Sequence, residues 1–261
     1  MKTYFPFLFL MLGCGNASVP IQKDSHSTGQ PPRASLVVKK TIKGSWADFL
    51  QNLPVVDSPV IDYQGRKVRH QYKHVGVIPF DVGKADLQQC ADALMRLRAE
   101  YLFEQKRFHE IGFHFTGGQY YSWKDYCNGK IPVPHGNDIR FINSNKHDQS
   151  HASLRKYLDI VYTYAGTISL AKELKPATQF EIGTIVIYAG SPGHCFIIID
   201  EARSDDGKKL FKLAEGYTPA QSIYVLRNLN EEEKTPWHEL TNGEIETASY
   251  RFTSYKLGRF E

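Results

Sequence analysis

Residues 179–217 decide the fold, and they read QFEIGTIVIYAGSPGHCFIIIDEARSDDGKKLFKLAEGY. Three segments rich in apolar and β-branched residues are separated there by two turns, one at residues 190–193 and one at Asp206 and Gly207. The second turn closes a hairpin, because Asp followed by Gly tolerates the positive φ that tight hairpin turns require. The stretch therefore predicts an antiparallel meander of three strands.

His194 stands at the start of the middle strand, directly after the glycine-rich turn. Because side chains alternate between the two faces of a strand, a four-residue loop at 204–207 places Glu215 across from Phe196, on the face of His194. Glu215 is then one same-face step, roughly 7 Å, along the strand from His194. The pattern predicts a general base at His194, oriented by Glu215. A turn histidine without a chemical role is the alternative.

The clearest helical pattern is ADLQQCADALMRLRAEYLFEQ, at residues 85–105. Asp86 followed by Gln89 predicts a capping box at its start, which places Cys90 about one turn inside the helix. Free amide groups and the helix dipole favour a thiolate there. A cysteine on an apolar helix face is also an ordinary core residue, so both interpretations of Cys90 stay open.

A helical cysteine followed by a strand histidine and then a polar residue is the order of a papain-like thiol hydrolase. In that mechanism Cys90 is the nucleophile, His194 the base and Glu215 the group that fixes the imidazole. The amide of Cys90, with the side chain of Gln88 or Gln89, would donate to the oxyanion. This hypothesis requires the sulfur and the imidazole to be neighbours in an open groove.

Between Phe113 and Ile142, aromatic residues alternate with Gly, Pro and Asn, which predicts a long functional loop. Tyr120, Tyr121 and Trp123 are the residues predicted to contact a substrate there. Packing beneath the loop is the alternative use of such rings.

The remaining patterns complete an α+β fold. Ser45 predicts the N-cap of a short helix, and helical spacing returns at residues 153–164 and 165–174. Together with the meander, these segments predict an antiparallel sheet packed on a long core helix and a helical pair. Further strands of this sheet are expected at residues 222–226 and 250–257.

A hairpin about Gln64 and Gly65 is predicted at residues 60–72, followed by a strand at 74–80. The segment carries a basic edge formed by Lys67, Arg69, His70, Lys73 and His74. Charges of this kind are typical of protection against strand pairing, and a contact with a wall polymer is the alternative.

Composition excludes several functions. The chain has 261 residues, of which 41% are hydrophobic, enough for one well-buried domain, and its net charge of +4 is spread without a nucleic-acid footprint. Neither GxSxG nor GxGxxG occurs, and the ten histidines lack the spacing of a complete metal site. We expect no cofactor, no metal and no nucleic-acid partner.

The first residues, MKTYFPFLFLMLGCGN, form a short apolar run behind one lysine, which is too short to span a bilayer. Met11 to Cys14 resemble a bacterial lipobox, in which the cysteine is lipidated. The predicted organisation is a lipoprotein signal peptide at 1–13, a flexible tether at 14–40 and one α+β domain at 41–261. An ordinary signal peptide cleaved further along is the alternative.

Two family resemblances bear on function. The segments DLQQCADALMRLRAEYL, AGTISLAKELKP and GSPGH resemble a family of bacterial lipoproteins labelled only as a domain of unknown function. This resemblance covers nearly all of residues 41–261 and implies an envelope protein, without supplying an activity. Residues 181–217 are also similar to the histidine-bearing meander of NlpC-type peptidases and of the cysteine, histidine-dependent amidohydrolases. That similarity implies a papain-like fold with His194 as base and Glu215 as its orienting residue.

The second resemblance has one departure. Those families place the cysteine at the very start of its helix, usually in an Asp-Cys-Ser-like motif, whereas Gln89 precedes Cys90 here and the predicted helix begins earlier.

Two functions remain open at this stage. One is an envelope-associated lipoprotein with a cysteine peptidase or amidase domain, acting on peptide or amide bonds of the cell envelope, with cell-wall peptide as one candidate, and anchored to the membrane through Cys14. The other is a non-catalytic envelope lipoprotein that binds a glycan, a peptide or a protein partner through the same cleft.

Overall fold

Residues 179–217 fold as the predicted meander and form the middle of the main sheet. The structure is a computed structural model that describes residues 36–230 and 235–261. Its helices are α1 (Trp46–Gln51), α2 (Cys90–Glu104), α3 (Trp123–Cys127), α4 (His151–Tyr164) and α5 (Thr167–Glu173). Its strands are β1 (Val37–Val38), β2 (His74–Ile78), β3 (Gly112–His114), β4 (Tyr120–Ser122), β5 (Lys130–His135), β6 (Asp138–Asn143), β7 (Lys175–Pro176), β8 (Ile185–Tyr188), β9 (His194–Arg203), β10 (Lys209–Glu215), β11 (Ile223–Leu226), β12 (Trp237–His238), β13 (Ile245–Glu246), β14 (Arg251–Phe252) and β15 (Lys256–Arg259).

The main sheet is antiparallel, with the strand order β2-β11-β10-β9-β8-β15-β7. Two short strands are added to its centre, β1 beside β9 and β12 beside β10. Separate hairpins are formed by β3 with β4, by β5 with β6 and by β13 with β14. The predicted α+β class with an antiparallel sheet is therefore confirmed.

Alternation along β9 gives the sheet two apolar faces. Cys195, Ile197 and Ile199 belong to a core shared with the helices, and Phe196 and Ile198 belong to a second core that includes the β13–β14 hairpin. The sheet is thus covered on both faces. Helix α2 is buried along nearly its whole length, because the sheet lies against one side and α4 and α5 pack on the other.

Helix α2 begins at Cys90, which corrects the prediction that Cys90 lies a turn inside the helix. Gln89 is the N-cap, and its backbone N–H donates to Asp92 at 3.1 Å. Asp86 lies outside the helix and instead accepts hydrogen bonds from Gln89 Nε2 at 3.0 Å and from the backbone N–H of Ala220 at 2.7 Å. The predicted capping residue therefore attaches the β10–β11 connection to the start of α2.

The short helix, the helical pair and the 60–72 hairpin match the sequence predictions. The Ser45 hydroxyl accepts from Asp48 N–H as the N-cap of α1. Gly166 precedes α5, and Gly65 adopts φ +77° at the hairpin turn.

Two expectations are corrected. Residues 113–142 form two hairpins and α3, since their aromatic residues pack into the core. Residues 250–257 are divided between β14, which lies outside the main sheet, and β15, which lies in it.

A β-bulge in β9 sets the register beside the site. Lys209 pairs with Arg203 and Lys212 with Asp200, but Leu213 pairs with Ile198, so Ile199 is the extra residue. Beyond the bulge the register sets Glu215 against Phe196, on the face that carries His194.

The predicted signal peptide and the lipidation site Cys14 lie outside the described residues. Part of the predicted tether joins the sheet, since Val37 pairs with Arg203 and the Lys39 ammonium contacts the Glu201 carboxylate at 2.8 Å. Among the described helices, none is both long and apolar enough to cross a bilayer.

Candidate functional site

The start of α2, the start of β9 and the end of β10 meet at one place, and each carries one predicted site residue: Cys90, His194 and Glu215. Glycines make this approach possible. A Cβ on Gly216 would lie 2.7 Å from Ala93 Cβ and 2.9 Å from Gln89 O, and one on Gly193 would lie 2.7 Å from Tyr188 O. The chain therefore needs glycine immediately before His194 and immediately after Glu215.

His194 and Glu215 form a buried hydrogen-bonded pair, with His194 Nε2 2.9 Å from Glu215 Oε2. The other carboxylate oxygen of Glu215 accepts a short hydrogen bond from the Tyr224 hydroxyl. Glu215 is 0% exposed, so both contacts act in a low-dielectric interior. The carboxylate is held on both sides and fixes the orientation of the imidazole.

Cys90 occupies the first position of α2, and its sulfur lies 3.9 Å from the carbonyl oxygen of Gly193. Its pKa is lowered to about 5 by a hydrogen bond from the Cys195 thiol, by the hydrogen bond and charge of His194 and by the Ala91 amide, which together outweigh the effect of burial. A thiolate at the start of a helix also gains from the helix dipole.

The pKa of His194 shifts in the opposite direction. Burial disfavours its charge, but hydrogen bonds to Cys90 and Glu215 and their negative charges raise its pKa to about 9. Two coupled groups of this kind share their macroscopic pKa values. Near neutral pH the favoured state is therefore a Cys90 thiolate paired with a His194 imidazolium.

The sulfur does not lie in the open groove that the hydrolase hypothesis requires. Cys90 is 8% exposed and His194 is 3% exposed. The rings of Tyr217, Tyr250 and Phe252 lie 5.1, 4.9 and 5.8 Å from the imidazole, centre to centre. The site is nearly closed, which strengthens the interactions between its charges.

Cys90, Cys127 and Cys195 are all free thiols. Burial and the charge of Asp148 raise the pKa of Cys127, and burial followed by contact with Cys90 raises that of Cys195 well above its usual range. The lowered pKa thus belongs to Cys90, the thiol beside the imidazole.

The residues predicted to contact substrate are not part of this site. Tyr121 and Trp123 are 0% and 1% exposed and lie in the core beneath α4, so they cannot line an open cleft. Tyr120 is half exposed, and its ring packs beside His114 on the β3–β4 hairpin. The interleaving of these aromatic residues with Gly and Pro predicts a substrate surface, but it does not indicate that the rings pack in the core.

The side chains of the two predicted oxyanion donors are held by other residues, although the buried Gln88 Nε2 has no hydrogen-bond partner among the described residues. Gln88 is buried and accepts from Arg96 at 3.2 Å, whereas Gln89 is held by Asp86 and by the Thr218 hydroxyl. The backbone N–H of Cys90 remains, since the first amides of a helix have no intrahelical acceptor.

Sequence reasoning missed Tyr224 and Cys195. Tyr224 pairs across the strands with Glu215, so a register for β11 would have located it. Cys195 follows His194 directly, and alternation turns it to the opposite face, toward α2. Within the described ranges, no group of three or more His, Cys, Asp or Glu residues is placed to hold a metal ion.

The fold and the site define an α+β protein with a buried cysteine–histidine–glutamate cluster, in which the cysteine begins the central helix and the other two residues lie on neighbouring antiparallel strands. A family model described as "Domain of unknown function (4846)" matches residues 30–259, and the chain belongs to that family. No curated protein matches the chain, and no solved structure does.

Proposed function

We propose that the protein is a cysteine peptidase or amidase with a papain-like arrangement, acting on peptide or amide bonds of the cell envelope. The observation that carries the proposal is the contact network in which a single buried carboxylate orients His194, while the Cys195 thiol and His194 together lower the pKa of Cys90. A core cysteine has no need of such a network. The start of α2 at Cys90 also supports the resemblance to NlpC-type peptidases, because it removes the departure in cysteine position.

The proposed reaction has two halves. The Cys90 thiolate attacks the carbonyl carbon of an amide, and the backbone N–H of Cys90 donates to the oxyanion. The His194 imidazolium gives its proton to the departing amine as the C–N bond breaks, which leaves a thioester on Cys90. A water then attacks the thioester while His194 takes one of its protons; the C–S bond breaks, the carboxylic acid departs, and the Cys90 thiolate and His194 imidazolium are restored.

Glu215 keeps the imidazole oriented throughout these steps. Its negative charge favours the imidazolium, and Tyr224 prevents the carboxylate from rotating away. Because Cys90 is 8% exposed and the rings of Tyr217, Tyr250 and Phe252 surround the imidazole, the proposal requires these rings to move aside when a substrate and then a water reach the sulfur.

The proposal is tested with purified cell-wall fragments and release of soluble amines as the readout. Cys90→Ser and His194→Ala should each abolish release, whereas Cys127→Ser should retain it, because Cys127 has the same 8% exposure but a raised pKa. Hydrolysis that survives both Cys90→Ser and His194→Ala would rule out the assignment.

We also propose that the domain is held at a bacterial membrane by lipidated Cys14, on the strength of the lipobox-like residues 11–14. Cys14→Ala should then release the protein from the membrane fraction. A variant that still sediments with membranes contradicts this anchor.

A further inference from the structure

A basic pocket lies on the other side of Tyr217 from His194. Its volume is about 380 Å³. The 60–68 hairpin, the 3₁₀ turn Gln71–Lys73 and the connection between β10 and β11 enclose it. Asp62 N–H donates to Arg66 O and Tyr63 N–H to Ala220 O, each at 2.9 Å, so the hairpin is fixed to that connection.

The pocket carries an excess of positive charge. Its basic side chains are Arg66, Lys67, Arg69, His70, Lys73 and His74, and Asp62 is its lining carboxylate. Asp62 pairs with Arg66 at 2.7 Å, and burial lowers the pKa of His74 and favours its neutral form. Within residues 36–230 and 235–261, Lys67, Arg69 and Lys73 form no ion pair with a carboxylate. About three cations are therefore available to a ligand.

Protection against strand pairing does not account for these charges. The outer side of the edge strand β2 is already paired, since Val56 and Val77 exchange two backbone hydrogen bonds of 2.9 Å. Lys67 and Arg69 lie before β2, and the basic residue of β2 itself, His74, is buried. These cations line a cavity and do not flank an unpaired strand edge.

The pocket shares its walls with the candidate site. Tyr217 contacts the His194 ring on one side and lies beneath the Lys73 ammonium, 5.4 Å from its centre, on the other. Tyr224 lines the pocket and donates to Glu215. Lys73 Nζ is consequently at most about 10.5 Å from the centre of the imidazole, a distance that up to about three extended residues span.

We infer that this pocket binds a carboxylate-bearing segment of a peptide substrate, within about three residues of the amide that Cys90 attacks. The position of that amide rests on the proposed function. Carboxylates would meet Lys67, Arg69 and Lys73 at the rim, and the rings of Tyr217 and Tyr224 would cover the aliphatic part of the peptide. The same positive field would steer anionic peptides toward the site.

Binding is measured without catalysis on the full chain carrying Cys90→Ser. The probes are a fluorescein-labelled pentapeptide with two adjacent glutamates and the same peptide with glutamines, followed by fluorescence anisotropy, with inorganic phosphate as competitor. We expect the glutamate peptide to bind at least tenfold more tightly, and raised salt to weaken it. Lys67→Glu combined with Lys73→Glu should weaken binding by about tenfold or more. The matched control combines Lys124→Glu with Lys172→Glu, which change the net charge equally on exposed lysines elsewhere.

Equal affinity for the two peptides, or equal losses in the two double variants, would overturn the inference, as would a pocket that binds phosphate but does not prefer glutamate. Tight glutamate binding without hydrolysis by the wild-type chain would instead contradict the proposed function and leave the pocket assigned. Hydrolysis by the wild-type chain that depends neither on glutamate in the peptide nor on Lys67 and Lys73 would instead support the proposed function and contradict the pocket assignment.

Discussion

The pH dependence of alkylation at Cys90 tests the charged pair directly. Lowering the pKa from 9.0 to about 5 corresponds to about 5 kcal/mol in favour of the thiolate. At pH 5.5 a thiol of pKa 5 is mostly ionised, whereas for one of pKa 9 the ionised fraction is about 0.03%, a ratio of about 2,000. The less basic thiolate is about 60-fold less nucleophilic, so its net advantage at pH 5.5 is about 40-fold.

The same arithmetic reverses the order at high pH. At pH 8.5 the ordinary thiol is about one-quarter ionised, and its greater nucleophilicity makes it about 15-fold faster. Cys127 provides an internal control, since it has the same 8% exposure as Cys90 and a raised pKa. Because the raised pKa of Cys127 leaves it less ionised than that ordinary thiol, we expect iodoacetamide to label Cys90 much faster than Cys127 at pH 5.5 and this ratio to fall steeply by pH 8.5, as measured by peptide mass spectrometry.

His194→Ala supplies the perturbation. In the wild type the Cys90 rate should be flat above about pH 6, and in His194→Ala it should still climb between pH 5.5 and 8, because the imidazolium that stabilises the thiolate is gone. His114→Ala is the matched control, since it removes an imidazole 2.7 Å from Glu173 at a distant position. A wild-type Cys90 rate that climbs in parallel with that of Cys127 up to pH 8 would refute the ion pair.

Three further predictions concern stability, each measured by urea unfolding. The Cys90–His194 pair titrates with pKa values of about 5 and 9 when folded, against ordinary values of 9.0 and 6.5. The stabilisation that the Cys90 thiolate contributes is lost as pH falls toward 5. Above pH 6.5, the stabilisation gained at Cys90 is offset by the stabilisation lost at His194. The unfolding free energy should therefore rise by about 1 kcal/mol from pH 5 to 6.5 in the wild type and not in Cys90→Ser; equal slopes would contradict this. Gly216→Ala should lower the unfolding free energy by about 1–3 kcal/mol, because its Cβ would lie 2.7 Å from Ala93 Cβ. Gly166→Ala, with open space around it, should leave the unfolding free energy unchanged. Equal effects would mean that the contact between Gly216 and α2 is not tight. Tyr224→Phe should cost about 1–3 kcal/mol by leaving a Glu215 oxygen without its donor, and an unchanged midpoint would show that the bond contributes nothing.

Sequence patterns located the elements whose signals are local. Turn residues at 190–193 and Asp206 and Gly207 delimited the meander, and apolar spacing found α2 and α4. The start of α2 was misplaced because Asp86 and Gln89 match a capping box, although Asp86 serves a contact with Ala220 that is 134 positions away in the sequence. Long-range partners of this kind leave no local pattern.

The same limit explains the aromatic segment between Phe113 and Ile142. Tyr121 and Trp123 have Gly and Asn nearby, as exposed loop residues commonly do, yet both are buried: Tyr121 packs against Tyr157 of α4, and Trp123 packs against Phe103 and Phe108. Tyr157 of α4 donates to the carbonyl oxygen of Tyr121 at 2.7 Å. Composition indicates where a chain turns, but it does not show which later helix will lie over the turn.

Glu215 was placed correctly, although the loop length behind that placement was wrong. The register assumed a four-residue loop, but Lys209 pairs with Arg203, which leaves five residues in the connection. Uncorrected, that extra residue would set Glu215 against Ile197 and direct its carboxylate to the face away from His194. The bulge at Ile199 removes the offset before the strand reaches the site. The contact between His194 and Glu215 therefore depends on an irregularity five residues from His194, roughly 16 Å away along the strand. Without this irregularity the two polar residues would lie on opposite faces of the sheet.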